Sequence, residues 1–400
     1  MPSGRIVEIV KGKKYQVIIE AGRNPKTGRR SSIKRTIYGR KTEAEKLCSD
    51  IIYELEHGTY IKPDKTTLAE YLRRWLKTYA INKAPSTYAG YKRIVESHII
   101  PQLGRIELSK LQPMHIQEYY TNRLREGRRD KKGGLSAATV QRHHALLREA
   151  LQHAVKWNLL YRNPADFTEP PTPEQPEIFP LEPEQLDALL EKAKGLRDEY
   201  LYIVAAYTGM REGELLSLTW NNVDLGKEPV CRVRQTVGYI NGQGFVFRPT
   251  AKHKKARREI PLMEITVTAL KQQKKMLAEE KLRNAKKYNK KSNLVFPDEY
   301  GNPLDPSAMT RRFKALAREA GFPQVRFHDL RHTHATMLLK AGIHPKIVQE
   351  RLGHQTIGIT MDTYTHVIKG LQKEAVEKMD EWLKNKKGHQ MGTKEQNDRS

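Results

Sequence analysis

The sequence predicts a multidomain α+β protein: a small three-stranded sheet with one helix, an all-helical domain, and a mostly helical domain with a small β-sheet. Three observations carry this prediction. The chain has 400 residues, which suits two or three domains with separate cores. Its first forty residues alternate apolar and polar side chains, whereas residues 66–168 repeat apolar side chains at helical spacing. Six prolines from Thr168 to Pro183 then predict an interdomain linker over 169–183.

The first predicted domain spans residues 1–62. Apolar residues alternate over 6–10, 15–19 and 33–38, and the stretch Asn24–Gly28 has the composition of a turn, so three strands are expected. Thr42, followed by Glu43 and Glu45, is expected to cap an amphipathic helix. Eight Lys or Arg and no acidic residue lie from Gly22 to Lys41. This ribbon can enter a DNA major groove, and a solvated basic hairpin is the alternative.

The second predicted domain spans residues 66–168 and contains four amphipathic helices. Its aromatic residues fall at core spacing, and we interpret them as packing residues rather than base-stacking ones. Ser86 and Ser136 are placed where N-caps are expected. The third domain, 184–385, is mostly helical, with strand-like stretches over 230–238, 244–249 and 259–262. The polar tail 386–400 is expected to be disordered.

The composition indicates a polyanionic partner. Lys and Arg number 72 against 46 Asp and Glu, a net charge of +26, which favours nucleic acid first and an anionic membrane second. We discard the membrane because no stretch combines a strong basic face with a broad apolar one. Two cysteines without metal-ligand spacing fit a reducing compartment, and no signal peptide or membrane span is evident. A cytoplasmic protein, associated with the nucleoid in a bacterial host, is expected.

Four short motifs in the third domain combine polar residues in an unusual way. Arg211 follows a Gly-Met turn, and Glu214, on the same helical face, can orient it. Lys252 opens a basic stretch of a hairpin that ends at Pro261. The remaining two motifs supply His328 with Arg331, three residues apart at a helix start, and Leu352-Gly353-His354 with Tyr364 ten residues later.

Taken together, these side chains are of the types that can bind and stabilise the pentavalent phosphorus of a phosphoryl-transfer transition state. Guanidinium groups can clamp its equatorial oxygens, a lysine or histidine can protonate a leaving oxygen, and a tyrosine can act as the nucleophile. No cluster of carboxylates is present to hold two metal ions, so metal-assisted hydrolysis is not favoured. A zinc site at His332, His334 and His366 is the competing interpretation, and we disfavour it because the nearby arginines would repel a cation.

The four motifs, in this order and spacing, resemble those of the tyrosine recombinase (phage integrase) family. Residues 1–62 resemble the arm-type DNA-binding domain of integrases from phages and conjugative transposons of Gram-positive bacteria. Residues 66–168 resemble the core-binding domain, and 184–385 the catalytic domain. The resemblance spans nearly the whole chain. It implies a site-specific recombinase that integrates and excises a mobile element or prophage.

The resemblance also implies a role for each motif residue. Tyr364 would attack the scissile phosphate and form a 3′-phosphotyrosine with a free 5′-hydroxyl. Arg211 and Arg331 would clamp the phosphate oxygens, and Lys252 would protonate the leaving oxygen, a role that Lys254 or Lys255 takes if the hairpin register differs. His328 would assist proton transfer, and His354 would donate a hydrogen bond to the phosphate. The chemistry would require no metal, ATP or other cofactor.

Several expectations about partners follow from the same resemblance. The family works as a homotetramer on double-stranded DNA with core and arm-type sites, and an excision factor and a DNA-bending host protein are candidate partners. A C-terminal helix over Leu371–Leu383 is expected to pack either on a neighbouring subunit or within its own chain. Two alternative functions stay open at this point: relaxation of DNA by a type IB topoisomerase, and a catalytically inactive DNA-binding regulator on the same fold.

Overall fold

The structure is a computed structural model. It describes residues 2–23, 30–57, 60, 65–128, 133–174, 177–250, 257–358, 361, 376, 379 and 380. The chain divides into two compact units, residues 1–175 and 176–400, and the division falls inside the predicted linker. The finer domain boundaries at 62, 168, 183 and 385 stay predictions. No helix among the described residues is long and apolar enough to span a membrane.

The first unit begins with an antiparallel sheet in the order β1 (Ser3–Val10), β2 (Lys14–Arg23) and β3 (Arg30–Tyr38). Helix α1 (Lys41–Glu56) packs on it, because Cys48 and Ile51 meet the inward-facing Val17 and Ile19 of β2. The three strands and the helix confirm the predicted α+β arrangement. The turn between β2 and β3 lies outside the described residues.

The predicted cap of α1 is wrong by two residues. The helix begins at Lys41, so Thr42 is already helical and Arg40 is the N-cap. Arg40 has an extended backbone, and its N–H donates to Oε2 of Glu43 at 3.3 Å. The Glu43 carboxylate therefore accepts the backbone N–H of the N-cap residue, which is the glutamate half of a capping box, and the Thr42 hydroxyl is not the cap.

The rest of the first unit is helical. It contains α2 (Leu68–Thr78), α3 (Pro85–Ile94), α4 (Ile100–Leu103), α5 (Pro113–Glu126) and α6 (Ala137–Lys156), with a π-helical stretch (Val95–Ile99) joining α3 to α4. Tyr71, Trp75, Tyr119 and Tyr120 are fully buried, which confirms that they are packing residues.

Two serines in this helical region test the capping prediction. Ser136 is the N-cap of α6, and its Oγ accepts from the N–H of Thr139. Ser86 is not a cap, because α3 begins at Pro85, whose fixed φ suits the first helical position and whose missing N–H needs no partner.

The second unit is mostly helical around one large core, with two small sheets. Its helices are α7 (Pro183–Ala193), α8 (Glu199–Thr208), α9 (Glu212–Leu216), α10 (Glu264–Arg283), α11 (Pro306–Glu319), α12 (Asp329–Lys340) and α13 (Pro345–Leu352). Its strands are β4 (Val223–Asp224), β5 (Val230–Val233), β6 (Gln235–Ile240), β7 (Gly244–Pro249) and β8 (Arg258–Pro261). The sheet orders are β4-β5-β8 and β6-β7, both antiparallel.

The end of the predicted linker belongs to the core of the second unit. Leu181 is 3% exposed, and its N–H donates to Oγ1 of Thr333 in α12 at 2.9 Å. Further along the chain, the predicted helix 371–383 lies outside the described residues except for 376, 379 and 380, and the tail 386–400 lies wholly outside them.

Candidate active site

The turn that presents Arg211 depends on a glycine at the end of α8. Gly209 has a φ of +63°, and a Cβ added there would lie 2.7 Å from Cδ2 of Leu352 and 2.8 Å from Cδ2 of His334. Only glycine fits both the left-handed backbone and this close approach. The chain then reverses, and Arg211 becomes the N-cap of α9 with an extended backbone.

The Arg211 side chain is fixed at two points but remains 41% exposed. Its Nη1 donates to Oε1 of Glu214 at 2.8 Å, and its Nη2 donates to the carbonyl of Gly353 at 2.9 Å. Glu214 also accepts from the Arg211 backbone N–H at 3.0 Å. The guanidinium is therefore oriented by its neighbour three residues on, as the spacing predicts, and is still accessible to an anion.

Arg331 is more deeply buried than Arg211, with only 4% of the residue exposed. Its Nη1 donates to the carbonyl of Gly209 at 2.6 Å, and its Nη2 donates to the carbonyl of Leu352 at 2.8 Å. Both arginines thus hold the turn that ends α13, and Arg331 also holds the turn that ends α8. Segments more than 100 residues apart in sequence meet at these two side chains.

His328 and His354 belong to the same site. His328 is the N-cap of α12, one turn before Arg331, and His354 follows Gly353, which ends α13 with a φ of +69°. Burial lowers the pKa of His354 to about 3, and the charges of Arg331 and Arg211 act in the same direction. The pKa of His328 is lowered by desolvation of its ring and by Arg331, although the residue lies at the surface.

These shifts fix the protonation of the site near pH 7. Both imidazoles are neutral there, so each can donate one hydrogen bond and accept another. His332, whose ring centroid lies 4.9 Å from that of His328, is also neutral, because burial lowers its pKa to about 4. The fixed positive charge of the site is carried by the arginines, an arrangement that suits an anion such as a phosphate.

An inner group of residues supports the two arginines: Glu214, which the sequence singles out, and Arg258 and Arg351, which it does not. Glu214 and Arg258 form a buried ion pair with Nη2–Oε2 at 2.8 Å. Burial alone would raise the pKa of Glu214, but the hydrogen bonds and charge of Arg258, together with Arg211, lower it to about 2. Arg351 donates from Nε to Nε2 of His334 at 2.9 Å. In the sequence, Arg258 is indistinguishable from the other cations of its basic stretch.

One histidine of the disfavoured zinc interpretation is engaged elsewhere, and another is not described. His334 is 2% exposed and its Nε2 accepts the bond from Arg351, while His366 lies outside the described residues. Within the described part of the chain, no group of three His, Cys, Asp or Glu side chains is arranged to hold a metal ion.

Lys252 and Tyr364 also lie outside the described residues, as do Lys254 and Lys255. Their proposed roles stay predictions. The structure brings together the other four predicted residues, namely Arg211, His328, Arg331 and His354.

A mostly helical domain that gathers two arginines and two histidines is the arrangement expected of a tyrosine recombinase. The sequence matches the phage integrase family over residues 180–371, and the N-terminal SAM-like domain of phage integrases over residues 67–124. The chain belongs to this family of site-specific DNA recombinases.

Named relatives and solved structures agree with this assignment. The chain is 29% identical to a XerC-like tyrosine recombinase of Caldanaerobacter subterraneus, over 92% of this chain and 96% of the relative. It is 25% identical to the ICEBs1 integrase of Bacillus subtilis, over 94% of this chain and all of the relative.

The fold is similar to that of the Tn1549 transposon integrase bound to transposon right end DNA, with a TM-score of 0.64 and 21% identity over 77% of this chain and 99% of the other. It is also similar to a lambda integrase tetramer bound to a Holliday junction, with a TM-score of 0.55 and 19% identity over 89% and 93% of the two chains.

Proposed function

We propose that the chain acts as an integrase that cuts and rejoins DNA through the six motif residues, and that its substrate is a mobile element or prophage. The observation that carries this proposal is the convergence of Arg211 and Arg331 on the carbonyls of Gly209, Leu352 and Gly353. These contacts orient two guanidinium groups before any substrate binds, and preorganised donors stabilise a transition state without reorganising during the reaction.

In this proposal, Arg211 and Arg331 have different roles. Arg211 is partly exposed and supplies direct contacts to the non-bridging oxygens of the scissile phosphate. The family resemblance implies the same contact for Arg331, but this side chain is buried and both its Nη atoms bind carbonyls. We therefore assign it a different role: it supplies positive charge and fixes the turns that carry Arg211 and His354. A trigonal-bipyramidal phosphorus bears more charge on its equatorial oxygens than the diester does, which makes both contributions larger in the transition state.

The remaining four residues supply the nucleophile, the proton transfers and one hydrogen bond to the phosphate. The Tyr364 oxygen attacks phosphorus, the bond to the 5′ oxygen breaks, and Lys252 gives that oxygen a proton. The products are a 3′-phosphotyrosine and a 5′-hydroxyl, and the reverse reaction with another 5′-hydroxyl rejoins the strands. His328, neutral near pH 7, can accept the phenolic proton, and neutral His354 donates to the phosphate.

We also propose the wider assembly. Relatives have been seen as a dimer on a core site and a tetramer on a Holliday junction, which supports a homotetramer on two DNA duplexes. The N-terminal sheet would bind arm-type sites, an excision factor and a DNA-bending host protein would set the direction, and the protein would work at the nucleoid. The names of the relatives favour recombination over the topoisomerase and regulator alternatives.

The test is a nicked duplex built from DNA that flanks the gene in its source genome. The wild type and Tyr364→Phe are incubated with it in EDTA and resolved on a denaturing gel. A slowly migrating protein–DNA adduct in the wild type alone is the expected result. Tight binding on native gels without an adduct would instead favour the DNA-binding regulator.

A further inference from the structure

Arg258, the first residue of β8, lies beneath the arginines of the site and makes three hydrogen bonds. Its Nη2 and Nη1 donate to the two carboxylate oxygens of Glu214 at 2.8 Å and 3.2 Å. Its Nε donates to the carbonyl of Arg351 at 2.7 Å. The side chain is 6% exposed, so these contacts are made away from water.

The first link runs from Arg258 to Arg211 through Glu214. Glu214 is 4% exposed and accepts from both arginines, with Nη1 of Arg211 at 2.8 Å. Arg258 holds both oxygens of the carboxylate in fork geometry, which fixes the plane of the group. The carboxylate plane in turn sets the direction of the exposed Arg211 guanidinium.

The second link runs from Arg258 to the turn that ends α13. The carbonyl of Arg351 accepts the Nε bond, and a Cβ added at Gly353 would lie 2.9 Å from Nη1 of Arg258. The turn therefore rests directly on this guanidinium. It is also the turn whose carbonyls bind Arg211 and Arg331, and it leads straight into His354.

The strand itself places Arg258 at this junction. In the β5–β8 ladder, Arg258 pairs with Val233 and Ile260 with Cys231, so alternate residues of β8 face the core. Arg258 and Ile260 are buried, whereas Glu259 points outward and binds Arg232 and Arg234. A shift of the strand register by one residue would place either Glu259 or Arg257 where Arg258 lies.

We propose that Arg258 is a positioning residue of the strand-transfer site: it holds Arg211 through Glu214 and holds the turn before His354, without touching the phosphate itself. This inference rests on the proposed function. It differs from a purely structural role, in which the buried pair would affect folding but not the reaction of the folded enzyme.

A substrate with a modified scissile phosphate distinguishes the two roles. A methylphosphonate, in which a methyl group replaces one non-bridging oxygen, is uncharged and depends less on a correctly aimed guanidinium. The variants are Arg258→Gln, Arg258→Lys and the double variant Arg258→Gln/Glu214→Gln. Arg232→Gln is the matched control, because it removes a partly exposed arginine from the neighbouring strand of the same sheet.

The measurement is the single-turnover rate of adduct formation on each substrate, together with DNA affinity and melting temperature. We expect Arg258→Gln to slow adduct formation on the phosphodiester by about 10–100-fold, the effect typical of losing a residue that orients a metal-binding side chain. On the methylphosphonate, the loss should shrink to about threefold or less, because the charge to be clamped is absent. Arg258→Lys should fall in between, and Arg232→Gln should match the wild type on both.

The double variant Arg258→Gln/Glu214→Gln is the control for an effect on folding. It removes both buried charges, so its melting temperature should recover towards the wild type while adduct formation on the phosphodiester stays slow. Equal losses on both substrates, or recovery of activity together with melting temperature, would overturn the inference. A wild type that forms no adduct on either substrate would instead remove the proposed function, and the inference with it.

Discussion

Replacing Gly209 with alanine tests how tightly the active-site turns are packed. The residue has a φ of +63°, and the new Cβ would lie 2.7 Å from Cδ2 of Leu352 and 2.8 Å from Cδ2 of His334. Neither neighbour can swing away easily: Leu352 is fully buried, and His334 is 2% exposed and bonded to Arg351. Gly209→Ala therefore combines backbone strain with a steric clash.

The backbone strain and the steric clash each have a typical cost in folding free energy. A left-handed backbone costs a non-glycine residue roughly 1–2 kcal/mol. Overpacking of a filled core adds roughly 1–3 kcal/mol. The sum is roughly 2–5 kcal/mol, which for a unit of this size corresponds to a fall of roughly 4–20 °C in melting temperature.

Gly342→Ala is the matched control. Its φ is +76° and nothing lies within 4 Å of the added Cβ, so it should show the backbone contribution alone, a fall of roughly 2–8 °C. Thermal unfolding of the wild type and both variants, followed by circular dichroism under one set of conditions, makes the comparison. Equal shifts for the two variants would refute the packing of α8, α12 and α13 described above.

Three further predictions concern Arg211, the buried ion pair of Glu214 and the N-terminal residues. Arg211→Lys should slow adduct formation by about 10²–10³-fold because an ammonium lacks the fork geometry, with DNA affinity nearly unchanged; a parallel loss of affinity on native gels would contradict this. Since the pKa of Glu214 is lowered to about 2, its contribution to stability is present above pH 4.5 and is lost as the pH falls towards 2. In urea unfolding the wild type should therefore lose about 3 kcal/mol more than Arg258→Gln/Glu214→Gln over that interval, and equal losses would argue against the pair. Deleting residues 1–60 should spare cleavage of a core site but impair integration between DNAs carrying arm sites, and undiminished integration would overturn the arm-binding role.

The parts of the site that could be predicted from the sequence are those fixed by short spacing. Arg211 with Glu214, and His328 with Arg331, are each three residues apart, and a single helical turn brings such residues together wherever the helix lies. The fold class was predictable for the same reason, because periodicities of two and 3.6 residues are local properties of the chain.

Arg258 could not be singled out because its role depends on a tertiary register. Its neighbours Arg257 and Glu259 are equally polar, and only the pairing of β8 with β5 decides which of the three turns inward. The misplaced cap at Thr42 has a similar origin, since the sequence offers both a hydroxyl and a carboxylate, and the structure uses the carboxylate of Glu43.

The hydrogen bond from Arg211 to the carbonyl of Gly353 spans 142 positions of sequence. Related elements can exchange gene segments by recombination. A crossover between the codons of these two residues would therefore separate Arg211 from the turn whose carbonyl it binds. A hybrid can inherit Arg211 from one parent and Gly353 from another. The turn at Gly353, the Arg258 side chain that contacts it and helix α13 before it must then all fit the foreign Arg211. Elements that diversify by shuffling should consequently exchange residues 209–354 as one block, while residues 1–175, which form a separate compact unit, can be exchanged independently.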